Sequence, residues 1–328
     1  PGPPPPTPDI HSALAVQLSQ TLEALERVRL TVRRRVRRRA AVLIPIGAGL
    51  GAAACWGLHA LYADRITWVD LALMAGYGGF FGLLAARLPL AGAYGRLYKA
   101  EVLPKLAANF GDLHYRRPIP SDLGRLGSMR LFRAFREVQA LDELYGDYRG
   151  LSLSLRQMRL RGRRGKDRDE FYSGLLVEVA LASDRPGETL VIDDAGPFGN
   201  LVDELTAGRL QRVGLEDPMF ERGYQVYGSD QVMSRVLLTP DVMERLQALR
   251  SNDATPRPVL YARDSVLWLL APRLGRYRLF DPPGYLQPAA STEILLGLHH
   301  DIAAALEVVD SVIDLDAATA RSARRRRR

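Results

Sequence analysis

Hydrophobic positions are unevenly spread along this 328-residue chain, and their spacing changes from segment to segment. Leu14, Leu18, Leu22, Leu25, Val28 and Val32 recur at intervals of three and four, which predicts an amphipathic helix over 10–39. From Ala40 to Ala63 there is no Asp, Glu, Lys or Arg. As a helix that run reaches about 36 Å, against about 30 Å for the hydrocarbon core of a bilayer. A second apolar run, Ile66 to Ala86, reaches about 31 Å by the same rise. Asp64 and Arg65 separate the two, and Asp70 lies near the start of the second, within reach of the interface. Trp56, Tyr62 and Trp68 gather towards the connection, as interfacial aromatics do. The first helix is expected to run straight into the first span, and the two spans to form a transmembrane hairpin over 40–87.

Beyond the hairpin the pattern shortens. Tyr94 to Phe110 reads as a helix, with Pro104 as a kink or break. Strand-like runs follow at Met129–Val138, Arg149–Leu160, Phe171–Leu181 and Glu188–Ile192, then at Gly223–Tyr227, Pro258–Ala262, Ser265–Leu270 and Arg276–Phe280. LSLSL at Leu151–Leu155 alternates strictly, the mark of a half-buried strand. Ala262–Asp264 reads as a hairpin turn, and RGRRGKDRDE at Arg161–Glu170 as a solvated hairpin loop. Thr239 and Pro240 are cap and first position of a helix to Arg250, with Val242, Met243, Leu246 and Leu249 on one face. Leu295, Leu298, Ile302, Ala305, Val309 and Val312 give a last amphipathic helix over 291–315. Strands adjacent in sequence with short turns imply an antiparallel α+β domain over 88–316. Residues 1–9, PGPPPPTPD, are expected as a disordered tail, and 317–328 as a basic disordered tail.

Charge fixes the orientation of this plan. The formal net charge is +8, but Arg27, Arg29, Arg33, Arg34, Arg35, Arg37, Arg38 and Arg39, with Arg321 and Arg324 to Arg328, supply fourteen positive charges. Without them +8 becomes −6, so the body is mildly acidic, unlike a body built to lie along DNA. Arginines crowd the entry to the first span, and Arg87, Arg96, Lys99 and Lys105 follow the second. The positive-inside rule then places both termini in the cytoplasm. Arg33, Arg34, Arg35, Arg37, Arg38 and Arg39 are read as topological anchors that also face anionic lipid headgroups, and the C-terminal arginines as a second hold on the same leaflet.

The glycines at 47, 49 and 51 sit after arginines rather than after a strand, so a dinucleotide-binding turn is disfavoured. Gly47 with Gly51, and Gly78 with Gly82, have instead the small-xxx-small spacing of close membrane-helix packing. Cys55 follows three alanines, but the charged region ahead is too long for a signal peptide and a second span follows. As the single cysteine it also excludes an internal disulfide framework.

Two stretches suggest a family. FYSGLLVEV places an aromatic shortly before Gly174. LEDPMFERGYQVYGSDQVMSRVLLTPDVMERL contains Glu216, Asp217, Phe220, Tyr227, Asp230, Leu238, Thr239, Pro240, Glu244, Arg245 and Leu246. Together they resemble the bacterial membrane-protein family called domain of unknown function 3137, over roughly residues 40–310. The resemblance implies a membrane hairpin near the N-terminus followed by a cytoplasmic domain, and no reaction. Read from the residues alone, Asp217 suits the cap of a short turn begun by Pro218 and ended by Gly223, Asp230 suits another cap, and Phe220 and Tyr227 are core-sized.

The chain contains no GxxxxGK[ST], GxSxG, HExxH or EF-hand spacing. His299 and His300 are adjacent, about 100° apart on a helix, and cannot converge on one metal. No cofactor is expected. The expected function is a non-enzymatic membrane protein whose cytoplasmic domain is an accessory, scaffold or assembly subunit, docking on another membrane protein or on its own copies. The alternative is a ligand-sensing domain or enzyme using Glu216, Asp217 and Asp230. Nucleic-acid binding through the arginine runs lacks aromatic or groove-fitting support.

Overall fold

The structure, a computed structural model, describes residues 10–62, 67–117, 130–133, 137–161, 170–183, 187–193, 209–249, 257–272, 280 and 292–326. The chain divides into two compact units. One comprises Pro1–Val102 with Asp281–Leu296, and the other Leu103–Phe280 with Gly297–Arg328.

The first unit is helical. Helix α1 (Ile10–Tyr62) is continuous, with Pro45 inside it, and α2 runs Trp68–Ala107. Of the kink or break expected at Pro104, the break is absent, because α2 continues to Ala107 and ends in a 3₁₀ turn, Ala108–Phe110. The amphipathic stripe of α1 finds its partner here. Leu22 and Leu25 pack with Tyr98, Val102 and Leu295, and Val36 packs with Leu90 and Tyr94. Both helices are long and apolar enough to cross a membrane. The connection at 63–66 lies outside the described residues.

The second unit is a mixed helix and antiparallel-sheet body. Its strands are β1 (Asp112–Arg116), β2 (Glu137–Tyr148), β3 (Leu151–Arg161), β4 (Glu170–Ala180), β5 (Glu188–Asp193), β6 (Gln211–Arg212), β7 (Tyr224–Gly228), β8 (Val259–Arg263) and β9 (Val266–Pro272). They form one sheet in the order β1-β2-β3-β4-β9-β8-β5-β7-β6, with antiparallel pairing throughout. Short helices α3 (Arg130–Arg133), α4 (Pro218–Glu221), α5 (Gln231–Leu237) and α6 (Pro240–Ala248) interrupt the strands, and α7 (Thr292–Arg326) closes the chain.

Several expectations need correction. Arg130–Arg133, read as the start of a strand, is helical, and the strand begins at Glu137. The β8–β9 turn is Asp264-Ser265, both with positive φ, one to two residues later than expected. The segment from 317, expected as a disordered tail, continues α7 to Arg326. Its alanines and arginines are strong helix formers, and the preceding turns already fix the backbone. The tail 1–9, most of the loop 161–170 and most of the run Arg276–Phe280 lie outside the described residues.

The sheet is covered on both faces. Leu153 and Leu155 share one face with Leu175, Val177 and Leu269, under the last turn of α2, α6 and the apolar stripe of α7. Met158, Leu160, Leu176, Trp268 and Leu270 share the other, with Leu131 and Phe132 of α3. From Leu153 onward β3 is therefore buried on both sides rather than half-buried, while Ser152 is exposed. Ser154 and Arg156 lie on the second face, and both are buried.

Candidate docking surfaces and the buried ion network

Four glycines decide how α1 and α2 meet. A Cβ at Gly47 would collide with the Gly78 carbonyl, and one at Gly78 with the Gly47 carbonyl. Gly51 faces the Met74 carbonyl, and Gly82 the Leu43 carbonyl. These contacts run in opposite directions along the two helices, so α1 and α2 are an antiparallel pair in backbone contact. Such an approach excludes any side chain at the crossing and gains dispersion contacts along both backbones.

The arginines before the crossing point outward. Arg33, Arg34, Arg35, Arg37, Arg38 and Arg39 are all exposed. Arg29 differs, being buried and bonded to Glu26 one turn earlier. Outward-facing apolar side chains continue along the apolar runs of both helices, among them Leu50 (67% exposed), Phe81 (64%) and Trp68 (85%).

In the sheet unit the motif residues stand mostly at element ends. The Asp217 carboxylate accepts from the amides of Met219 and Phe220 and caps α4, with Pro218 at the first position. Asp230 accepts from Val232 and Met233 and caps α5. Thr239 accepts from Val242 and caps α6, where Pro240 is first. Each cap satisfies amides that the first helical turn leaves without partners. Asp217 and Asp230 thus serve the starts of different helices, and Glu216 is exposed. Phe220 is buried and stacks on Tyr224 with centroids 4.5 Å apart, while the Tyr227 hydroxyl donates to Gln225. Gly174 is fixed by crowding, since a Cβ there would strike the Ala271 carbonyl and the Tyr172 hydroxyl. Arg245 pairs with Asp241 of its own helix and with Glu307 of α7, and Glu244 is exposed. His299 lies against Phe110, ring centroids 4.7 Å apart. Among the described residues no group of three or more His, Cys, Asp or Glu could hold a metal ion. A small, mostly apolar depression between α5 and β5, β8 and β9 is lined by Thr189, Met233, Leu237 and Ala262.

Sequence reading missed a charged network inside the sheet. A bulge in β2 between Ala140 and Glu143 turns both Asp142 and Glu143 into buried positions. The Glu143 carboxylate accepts from Ser154 Oγ at 2.6 Å and pairs with Arg116 Nε at 2.6 Å and Arg156 Nη2 at 2.9 Å. Arg156 also holds Glu178 at 2.5 Å. Tyr115 donates to Asp142 at 2.8 Å. Burial pushes the Glu143 pKa up, but the hydrogen bonds from Arg116 and Ser154 and the charges of Arg156 and Arg116 outweigh it. The net pKa lies below the ordinary 4.5. The alternation of Ser154 and Arg156 with leucines was the available signal, but alternation alone does not show what covers the polar face.

Helix α7 is held by its own acids. Asp310 accepts from the Tyr148 hydroxyl and pairs with Arg149, which also holds Asp314. Asp316 is buried and accepts from the amides of Ala182 and Ser183 and from the Ser183 hydroxyl.

A pair of helices apolar and long enough to span a membrane, and a mixed helix and antiparallel-sheet unit without a recognisable reaction centre among the described residues, define the class of protein. Residues 170–313 match the family model described as protein of unknown function (DUF3137). The matched span includes both stretches that suggested the family and begins well after the helical pair. No curated protein sequence matches the chain. The crystal structure of the mycobacterial trehalose monomycolate transport factor A, TtfA, is similar at 12% identity, covering 65% of this chain and 94% of its own, with a TM-score of 0.34. At that score the likeness carries no argument about this chain.

Proposed function

We propose that this chain is a non-enzymatic integral protein of a bacterial cytoplasmic membrane, and that its sheet unit docks on another membrane protein or on its own copies as an accessory, scaffold or assembly subunit. The observation that carries the reading is the uncovered apolar surface of α1 and α2. Only 6% of the most apolar window of each helix is buried, unlike the core helix of a water-soluble body. The antiparallel glycine crossing supports a hairpin, and the exposed arginines before it support cytoplasmic termini and contact with anionic headgroups. Engagement of Asp217 and Asp230 in capping supports a role without chemistry at that cluster.

Two measurements test this. Topology reporters at residue 65 and at the C-terminus are expected on opposite sides of the membrane, and matching sides would remove the hairpin. Native mass spectrometry of the chain, extracted from its own membrane in mild detergent, is expected to show a defined companion or a homo-oligomer. A bare monomer at every concentration would overturn the docking role.

A further inference from the structure

The nine-stranded sheet has two edges, and they are built differently. β6 is two residues long, too short to template another strand. β1, Asp112–Arg116, has five residues, pairs with β2 without a register shift, and contains no Pro, Gly or Lys. Among the described residues nothing pairs with its outer side. The backbone groups on that side are a template for one more strand.

The side chains of β1 say which strand. His114 lies opposite Tyr145 and Arg116 opposite Glu143, so Asp112, His114 and Arg116 share one face, while Leu113 and Tyr115 share the face of the main core. Read backwards, DLHYR is its own complement. In an antiparallel pairing about His114, Asp112 meets Arg116 of a second copy, Leu113 meets Tyr115, and His114 meets its own counterpart. Both charged groups are in place for this. The Asp112 side chain is 78% exposed, with its carboxylate 3.4 Å from His114 Nε2. The Arg116 guanidinium is anchored to Glu143 and lies over the Tyr145 ring, 4.3 Å from its centroid, yet 37% of the side chain stays exposed. A guanidinium already fixed in this way loses little freedom when it meets a further carboxylate.

We infer that β1 is a self-association edge, and that its occupant is β1 of a second copy in antiparallel, twofold register about His114. The inference rests on the docking role proposed above and chooses among its partners. Backbone groups alone would accept any strand. The change of sign from Asp112 to Arg116 across a central His114 selects a copy of the same strand, because unlike charges directly opposite attract and like charges repel. It also selects the register. A slip of two residues in either direction leaves Arg116 facing no carboxylate, and parallel in-register pairing sets like charges side by side. Copies held in one membrane by α1 and α2 meet at a raised effective concentration, so a strand of five residues suffices where it would pair weakly in solution. The two sheets then continue into one.

The test uses the full chain with Cys55→Ser, in its native membrane, under a mild oxidant. His114→Cys is expected to give a disulfide-linked dimer, because residues opposite each other in an antiparallel pair lie within disulfide reach. Arg117→Cys is not, since in this register its two copies lie about 20 Å apart along the strands. Gln211→Cys, exposed on the other sheet edge, should also stay monomeric. Adding Asp112→Lys to His114→Cys sets a cation against Arg116 of the other copy and should lower the dimer yield by about fivefold or more, whereas Asp112→Glu should preserve it. No dimer from His114→Cys, an equal yield from position 117 or 211, or a yield indifferent to Asp112→Lys would each overturn the inference. If native mass spectrometry shows a companion protein without a second copy, or a homo-oligomer whose His114→Cys chains do not cross-link, only this assignment fails. If it shows a bare monomer, the docking role fails with it.

Discussion

Removing the Glu143 carboxylate is expected to be among the most destabilising single changes in the sheet unit. Its side chain is fully buried, and Arg156, the buried one of its two charged partners, is 3% exposed. In Glu143→Ala the Arg156 guanidinium keeps Glu178 but loses its second anion, and its Nε has no hydrogen-bond partner among the described residues. Arg116 is more than a third exposed and water replaces most of what it loses, so its share is small. Leaving a buried charge short of its partner costs about 3–5 kcal/mol. For a body of this size that lowers the melting temperature by about 6–20 °C. Tryptophan fluorescence during heating of the intact chain in detergent reads this. Glu143→Leu with Arg156→Met should cost less than the two single changes added together, because the second change removes the charge that the first leaves uncompensated. pH gives an independent check. A carboxyl whose folded pKa is depressed contributes stability that is present above its ordinary 4.5 and is lost as pH falls through the folded value. The parent should therefore lose stability below about pH 4.5 more steeply than Glu143→Gln. A Glu143→Ala cost below about 1 kcal/mol, with unchanged acid sensitivity, would mean that water reaches Arg156 and that the network is not an isolated one.

Three further outcomes are expected. In a Cys55→Ser background, cysteines at Ala48 and Gly79 should form a disulfide, since a Cβ at Gly79 lies 3.8 Å from that of Ala48. Adding Gly47→Leu should abolish it, and an unchanged yield would refute the backbone contact between α1 and α2. Asp316→Ala withdraws the acceptor from two amides and a hydroxyl, should cost about 1–3 kcal/mol, and should speed hydrogen exchange through the last turns of α7. Exchange unchanged there would show that the helix is not fastened at that point. Burial, with the nearby Asp142 and Asp310 respectively, raises the pKa of Tyr115 and of Tyr148 to about 12. The stability they contribute is present below the ordinary 10.0 and lost as pH rises towards 12, so alkaline unfolding in that window should be blunted in Tyr115→Phe and Tyr148→Phe.

Strong single periods were readable from sequence. The Leu14–Val32 stripe and two uncharged runs predicted α1 and α2, and Asp217, Asp230 and Thr239 marked three helix starts by side-chain chemistry alone. Strands β3, β4, β5, β7, β8 and β9 announced themselves by alternation or by β-branched and aromatic content. β1 and most of β2 did not. DLHYR is short and polar, and EVQALDELYGDY carries acids that only a bulge and the arginines of β1 and β3 make tolerable inside a sheet. Residues 317–326 misled in the opposite sense, because the run of like charge suggested disorder while local helix propensity continued α7.

The strand order has a consequence for how the chain is made. β4 pairs with β9, although β5 to β8 lie between them in sequence. During synthesis β1 to β4 can assemble as a local meander, but β4 then presents an open edge until everything through β9 has emerged. Closing that seam carries the entropy of a long loop, and until it closes the Leu175–Val179 strand offers unpaired backbone and apolar side chains to any neighbour. A chain stopped before Val259 should therefore self-associate through β4, and a monodisperse truncation would contradict this. The insertion that carries α4 and α5 thus prolongs the period in which the nascent sheet unit depends on chaperones or on rapid elongation to avoid pairing with the wrong strand.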